Sequence, residues 1–174
     1  MAKFAFSIAA ALALIPAICA VPTSEPFSIE KWVKDIISDP AGHHLSPEEA
    51  AAAFKANSAG LKFREVDTLE KRDGGCNNHP TNWAYSPDAV WCIQNLAAKG
   101  STACEANTLT IFCTHGRGQI AGVVRGSPNN YGSTSCQHVA EIAGKILDRC
   151  WRSDNMVQGW ETVSNTMQIH VLSP

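Results

Sequence analysis

Residues 134–150 read Thr134-Ser135-Cys136-Gln137-His138-Val139-Ala140-Glu141-Ile142-Ala143-Gly144-Lys145-Ile146-Leu147-Asp148-Arg149-Cys150. Cys136, Val139, Ala140, Ala143, Ile146, Leu147 and Cys150 recur at the spacing that lines one face of an α-helix. Thr134 or Ser135 is placed to cap its first turn. A helix with an apolar stripe must bury that stripe, and the neighbouring segments supply the surface. Upstream, residues 108–113 alternate, with Leu109, Ile111 and Cys113 on one strand face. Thr114-His115-Gly116-Arg117-Gly118 is a Gly-rich turn, and residues 119–125 are the return strand of a hairpin. Residues 126–133 read as a loop. Downstream, Val163, Met167, Ile169 and Val171 alternate with Ser164, Thr166, Gln168 and His170 as a half-buried strand.

A first helix precedes the hairpin. Ser86-Pro87-Asp88 offers a cap, a proline in the first turn and an acid near the positive helix end. Ala89, Cys92, Ile93, Leu96 and Ala97 follow at helical spacing, and Lys99-Gly100 stops the helix. A short first strand fits near residues 76–83. The order is β-α-β-β-α-β, an α+β sandwich with two helices on one face of an antiparallel sheet. Cys76, Cys92, Cys104, Cys113, Cys136 and Cys150 are an even set in a small domain, which predicts three disulfides. Several connectivities are open. Element placement favours Cys113–Cys136 (strand end to helix start), Cys76–Cys150 and Cys92–Cys104.

The chain as a whole reads as a precursor. Lys3, an apolar run over residues 4–15, Pro16 and the small-residue site Ala17-Ile18-Cys19-Ala20 predict a secretory signal peptide over residues 1–20, cut after Ala20. Leu69-Glu70-Lys71-Arg72 predicts cleavage by a kexin-type processing protease after Lys71-Arg72. Between them, residues 21–72 hold nine acidic and seven basic side chains and no cysteine. Two short helices are expected in that pro-region. Ile29, Trp32, Val33, Ile36 and Ile37 share one face, and Ser46-Pro47-Glu48-Glu49 is a capping box leading into residues 50–54. The mature segment, 73–174, has seven acidic and six basic side chains. That balance gives no broad attraction for nucleic acid or anionic membrane. No stretch after the signal is long and apolar enough to span a bilayer. An extracellular monomer without a cofactor is expected.

Two groups of residues carry candidate chemistry. His79, His115, His138, His170, Glu105 and Glu141 contain the acid and base types of a secreted ribonuclease. Cys113-x-His115 lacks a second paired ligand for zinc, and Gly116-x-Gly118-x-x-x-Gly122 sits in a hairpin rather than a strand-to-helix nucleotide loop. The other group is aromatic and basic. Trp83 and Trp91 flank the first helix start, and Trp151 and Trp160 bracket residues 152–159. Trp151, Arg152 and Trp160, with His115 and Arg117 in the Gly-rich turn, are candidate partner contacts, because Trp and Arg dominate binding hot spots. A carbohydrate-binding or structural module would use the same tryptophans as its platform.

Cys104, Cys113 nine residues later, Gly116/Gly118, Ile120-Ala121-Gly122-Val123-Val124 and Ser135-Cys136-Gln137-His138 with its helix and Cys150 resemble the smut-virus killer toxin family of fungi. Ser86-Pro87-x-x-x-x-Cys92 and the last strand resemble the related extracellular effectors of leaf-infecting fungi. The resemblance covers nearly all of 76–172 and none of the pro-region. It implies an α/β sandwich and a secreted, non-enzymatic toxin or virulence factor acting on a host or competitor cell component. The toxins carry more cysteines and basic residues before the equivalent of Cys113. Here that stretch is Thr108-Leu109-Thr110-Ile111-Phe112, so an effector, or an antagonist with a target other than calcium channels, is the expectation.

Overall fold

Alternation along the last strand sets the layers. Met167, Ile169 and Val171 are fully buried, while Gln168, His170 and Leu172 turn to the other face. The computed structural model describes residues 26–58, 74–77, 79–164 and 166–174. The signal segment with Ala20 and the dibasic Lys71-Arg72 lie outside the described residues.

In chain order the elements are α1 (Ile29–Ser38), α2 (Pro47–Ser58), β1 (Gly74–Cys76), β2 (Ala84–Tyr85), α3 (Ser86–Ala98), β3 (Ala103–Asn107) and β4 (Leu109–His115). They continue with β5 (Gly118–Val124), β6 (Tyr131–Ser135), α4 (Cys136–Cys150), β7 (Met156–Val157), β8 (Gly159–Ser164) and β9 (Met167–Leu172). A five-stranded antiparallel sheet runs β1-β8-β9-β5-β4, and β2–β7 and β3–β6 form two short ribbons. α3 and α4 cover the sheet face that carries Ile120, Ile169 and Val171. The fold is α+β, with helices packed on antiparallel sheet, as the β-α-β-β-α-β pattern predicts. Among the described residues no helix is long and apolar enough to cross a membrane.

Several local expectations need correction. The first strand pairs with β8 at residues 74–76, earlier than the 76–83 window, and Ala84–Tyr85 joins a separate ribbon. Val163 belongs not to the last strand but to β8, which forms a hairpin with β9. Leu109 and Ile111 share the outer face, but the register shifts between Ile111 and Cys113, and this bulge turns Cys113 to the helical side. Ser86 is the first helical residue rather than a side-chain cap, and its hydroxyl has no hydrogen-bond partner among the described residues. Ser135 does cap α4, accepting from the backbone N–H of His138 at 3.3 Å.

The disulfides are Cys76–Cys150, Cys92–Cys113 and Cys104–Cys136. Cys76–Cys150 is the expected pair, and the other two are exchanged. The cause is the β3–β6 ribbon within what read as a loop. It sets Cys104 opposite Thr134, next to the start of α4, so Cys136 is consumed there. Cys113, turned inward by the bulge, meets Cys92 on α3. The result ties each edge strand of the sheet, β1 and β4, to a helix above it.

Both helices expected in 21–72 are present. Ser46 and Glu49 form the capping box, with Ser46 N–H donating to Glu49 Oε2 at 2.8 Å and Glu49 N–H donating to Ser46 Oγ at 3.2 Å. These helices are not appended to the domain; they extend its core. Ile29 and Val33 are fully buried, and Trp32 and Ile36 nearly so. At about 2 kcal/mol for each such side chain, α1 contributes about 8 kcal/mol of gross apolar burial. Gly144 of α4 makes the close approach possible, since a Cβ there would lie 2.9 Å from the Glu30 Cα. The Asp148 carboxylate accepts from Ser28 Oγ at 2.7 Å, from the Ile29 N–H at 2.6 Å and from the Glu30 N–H at 3.0 Å. It therefore caps the positive end of α1 from another helix. Burial pushes the Asp148 pKa up, against the pull of those three hydrogen bonds. On α2, Phe54 stacks on Trp151 with ring centroids 4.9 Å apart.

Peptide mapping of the unreduced protein will recover the 76–150, 92–113 and 104–136 links; a 92–104 or 113–136 peptide would contradict the fold. Because Cys76–Cys150 closes the longest loop, Cys76→Ala/Cys150→Ala will lower the unfolding free energy by about 4 kcal/mol in denaturant titration.

Candidate functional site

The glycines of the 114–118 turn are there because the β4–β5 hairpin lands on the N-terminus of α3. A Cβ on Gly118 would lie 2.5 Å from the Ala89 nitrogen, and Gly116 adopts a φ of +49°. The Arg117 N–H donates to Asp88 Oδ2 at 2.7 Å, so the acid expected at the helix start clamps the turn. The Tyr85 N–H donates to the Arg117 carbonyl at 3.1 Å, and Tyr85 pairs with Met156 in the β2–β7 ribbon.

This scaffold lines up one stacked ring pair and two arginine–ring contacts along one rim. His115 stacks on Trp91 with centroids 4.2 Å apart and planes 14° off parallel. The Arg117 guanidinium lies 6.0 Å from the Tyr85 ring centre, and one of its nitrogens is 3.8 Å from the Met156 sulfur. The Arg152 guanidinium lies 4.5 Å over Trp83 and is paired with Asp154 at 2.9 Å. The two arginine contacts are worth about 0.5–1 kcal/mol each at an exposed site, and all three contacts restrict the side chains that a partner would meet.

Of the five candidate contact residues, His115, Arg117 and Arg152 share this rim. Trp151 does not; it is 7% exposed, beneath Phe54. Trp160 lies on the sheet face that the helices leave open, opposite His170 across the β8–β9 pair. The same face carries Leu109 and Ile111, which are 59% and 52% exposed. The positions of Trp83 and Trp91 near the helix start are visible in the sequence, but their pairing with Arg152 and His115, and the part of Tyr85, depend on the tertiary fold.

A second concavity opens at the end of the sheet. A cavity of about 450 Å³ is lined by Asn77, His79, Asn82, Gln158, His170, Val171 and Leu172. Gln158 is its strut, accepting from the His79 N–H at 3.2 Å and donating to the Thr81 carbonyl at 3.0 Å. The lining sets amides and imidazoles beside Val171 and Leu172, without a carboxylate or a permanent cation. The His170 Nε2 is buried and has no hydrogen-bond partner among the described residues. The remaining histidines do not converge. His115 lies over the N-terminal half of α3, while His138 lies beside its C-terminal end, where the Gln137 N–H donates to the Gly100 carbonyl. Trp91 and Gly100 are nine residues apart, about 13 Å along the helix axis, so the two rings sit at separate places on α3. Among the described residues no three His, Cys, Asp or Glu side chains gather as metal ligands.

Burial, with Arg125 nearby, lowers the His170 pKa below its ordinary value of 6.5. A lowered histidine contributes stability that is full above the unfolded value and is lost as pH falls through the folded one. Denaturant midpoints will therefore drop on acidification below about pH 6.5, and His170→Gln will flatten that drop. An NMR titration placing the His170 ring at or above its ordinary value would contradict this.

A comparison with curated proteins finds no match. Residues 71–173 match a family model described as a domain of unknown function, DUF8794. That match takes in the whole sheet, α3, α4 and all three disulfides, leaves out α1 and α2, and spans more than half of the chain, which therefore belongs to this family.

Proposed function

We propose that this is a secreted fungal effector or killer-toxin-like protein that acts without catalysis, by binding a component of a host or competitor cell. The observation that carries the reading is the rim on which His115, Arg117 and Arg152 are each laid against an aromatic ring. Preorganised aromatic and arginine groups are what a partner-binding surface uses, because little side-chain entropy is lost on contact. Three disulfides in a small domain are compatible with an extracellular protein. The signal segment and the dibasic Lys71-Arg72 support export and maturation by a kexin-type protease. The cysteine and element order support the killer-toxin resemblance, and the near-neutral mature segment supports a target other than an anionic polymer.

A second reading, a carbohydrate-binding module, is supported by the cavity around Gln158 and His170. Its amide and imidazole groups, set beside Val171 and Leu172, suit a ligand that presents hydroxyl groups with an apolar face.

The test is to apply the secreted, processed protein to leaf tissue and to competing fungi, with reduced and alkylated protein as control. The expected result is cell death or growth arrest that requires intact disulfides and falls about tenfold or more in Arg117→Ala/Arg152→Ala. A protein that provokes no response yet binds plant or fungal wall polysaccharide would transfer the assignment to the second reading. RNA cleavage lost in His115→Ala would overturn both.

A further inference from the structure

The family match begins at residue 71, where the dibasic signal stands, so α1 and α2 belong to the segment that maturation separates from the family domain. Yet the contacts across that boundary are those of a core. α1 enters a gap that only Gly144 leaves open, and its first two backbone N–H groups are held by Asp148. Glu30 lies 3.9 Å from Lys145, extending the seam along α4. The Trp32 indole N–H donates to the Leu45 carbonyl at 3.2 Å, fastening α1 to the loop that leads into α2. Phe54 covers Trp151, which follows α4. Removing the segment would bare Trp151 and take from Asp148 the Ser28, Ile29 and Glu30 donors that it has among the described residues. It would also open a continuous apolar strip on a small exported domain.

We propose that cleavage after Arg72 yields a two-chain protein, in which the segment carrying α1 and α2 stays seated on the α3–α4 face as its permanent cover. The target then meets surfaces that the segment leaves uncovered, the open sheet face and the rim at the start of α3. This rests on the maturation reading above. Residues 21–72 contain no cysteine, so no disulfide joins the two chains and only non-covalent contacts hold them together.

The test uses precursor 21–174, made under oxidising conditions and cut with a kexin-type protease, followed by size-exclusion chromatography and native and denaturing mass spectrometry. The expected result is one native species carrying both chains, which denaturant separates without any reductant. A folded 73–174 eluting alone overturns the proposal. If the protease leaves Lys71-Arg72 intact, the maturation reading fails by itself. The same precursor cut at a protease site engineered into residues 60–70 then decides retention by the same two outcomes. Gly144→Ala favours the α4 helix intrinsically while obstructing α1. It will speed loss of the segment about tenfold or more, as will Phe54→Ala, which lies outside the family domain. Unchanged dissociation in both variants would overturn the assigned seat.

Discussion

α4 is buried on two sides, and the rest of the molecule is arranged around that fact. One side, Val139, Ala140, Ala143, Ile146 and Leu147, packs into the core over the sheet. The other, marked by Gly144 and Asp148, receives α1. A helix used in this way needs both ends held. Cys136 is bonded to the β3–β6 ribbon and Cys150 to the edge strand β1. The third bridge holds α3 to the opposite edge strand, β4. The bridges add to the buried core by limiting the freedom of the unfolded chain where the layers meet.

What was legible in the sequence was local and periodic. The stripe of α4, the face of α1, the Ser46–Glu49 capping box and the 114–118 hairpin turn each declare themselves within a few residues. What was not legible is set by register between distant segments. The alternation of Cys104 and Ala106 with Glu105 and Asn107 covers only four residues, and Tyr131–Ser135 has no alternating apolar pattern, so the ribbon is defined by its pairing. Missing that ribbon exchanged two disulfides. The break between β3 and β4 falls at Thr108, with a φ of +66°, a conformation that a β-branched residue does not advertise. The bulge beyond Ile111 reverses the facing of Cys113, which strict alternation placed beside Leu109.

The candidate surfaces divide along the same line. His115, Arg117 and Arg152 could be singled out as groups that commonly carry binding. Their stacking on Trp91, Tyr85 and Trp83 depends on the hairpin landing at the start of α3 and on the β2–β7 ribbon. Trp151 was singled out for the same reason, but its ring is spent inside the molecule, on Phe54. The cavity at His170 has no sequence motif, because its lining comes from the 77–82 segment, Gln158 and the end of β9. With the helical layer closed by α1 and α2, the surfaces left for recognition are the rim and the open sheet face.

The central claim is that α1 shares one cooperative structure with α4. Native-state hydrogen exchange on precursor 21–174 measures this directly at the interior α1 amides of Val33, Ile36 and Ile37. The account predicts that they are protected to about the same degree as the buried amides of α4 and fall with them in Gly144→Ala. Exchange at the rate of a free peptide, with α4 still protected, would contradict it.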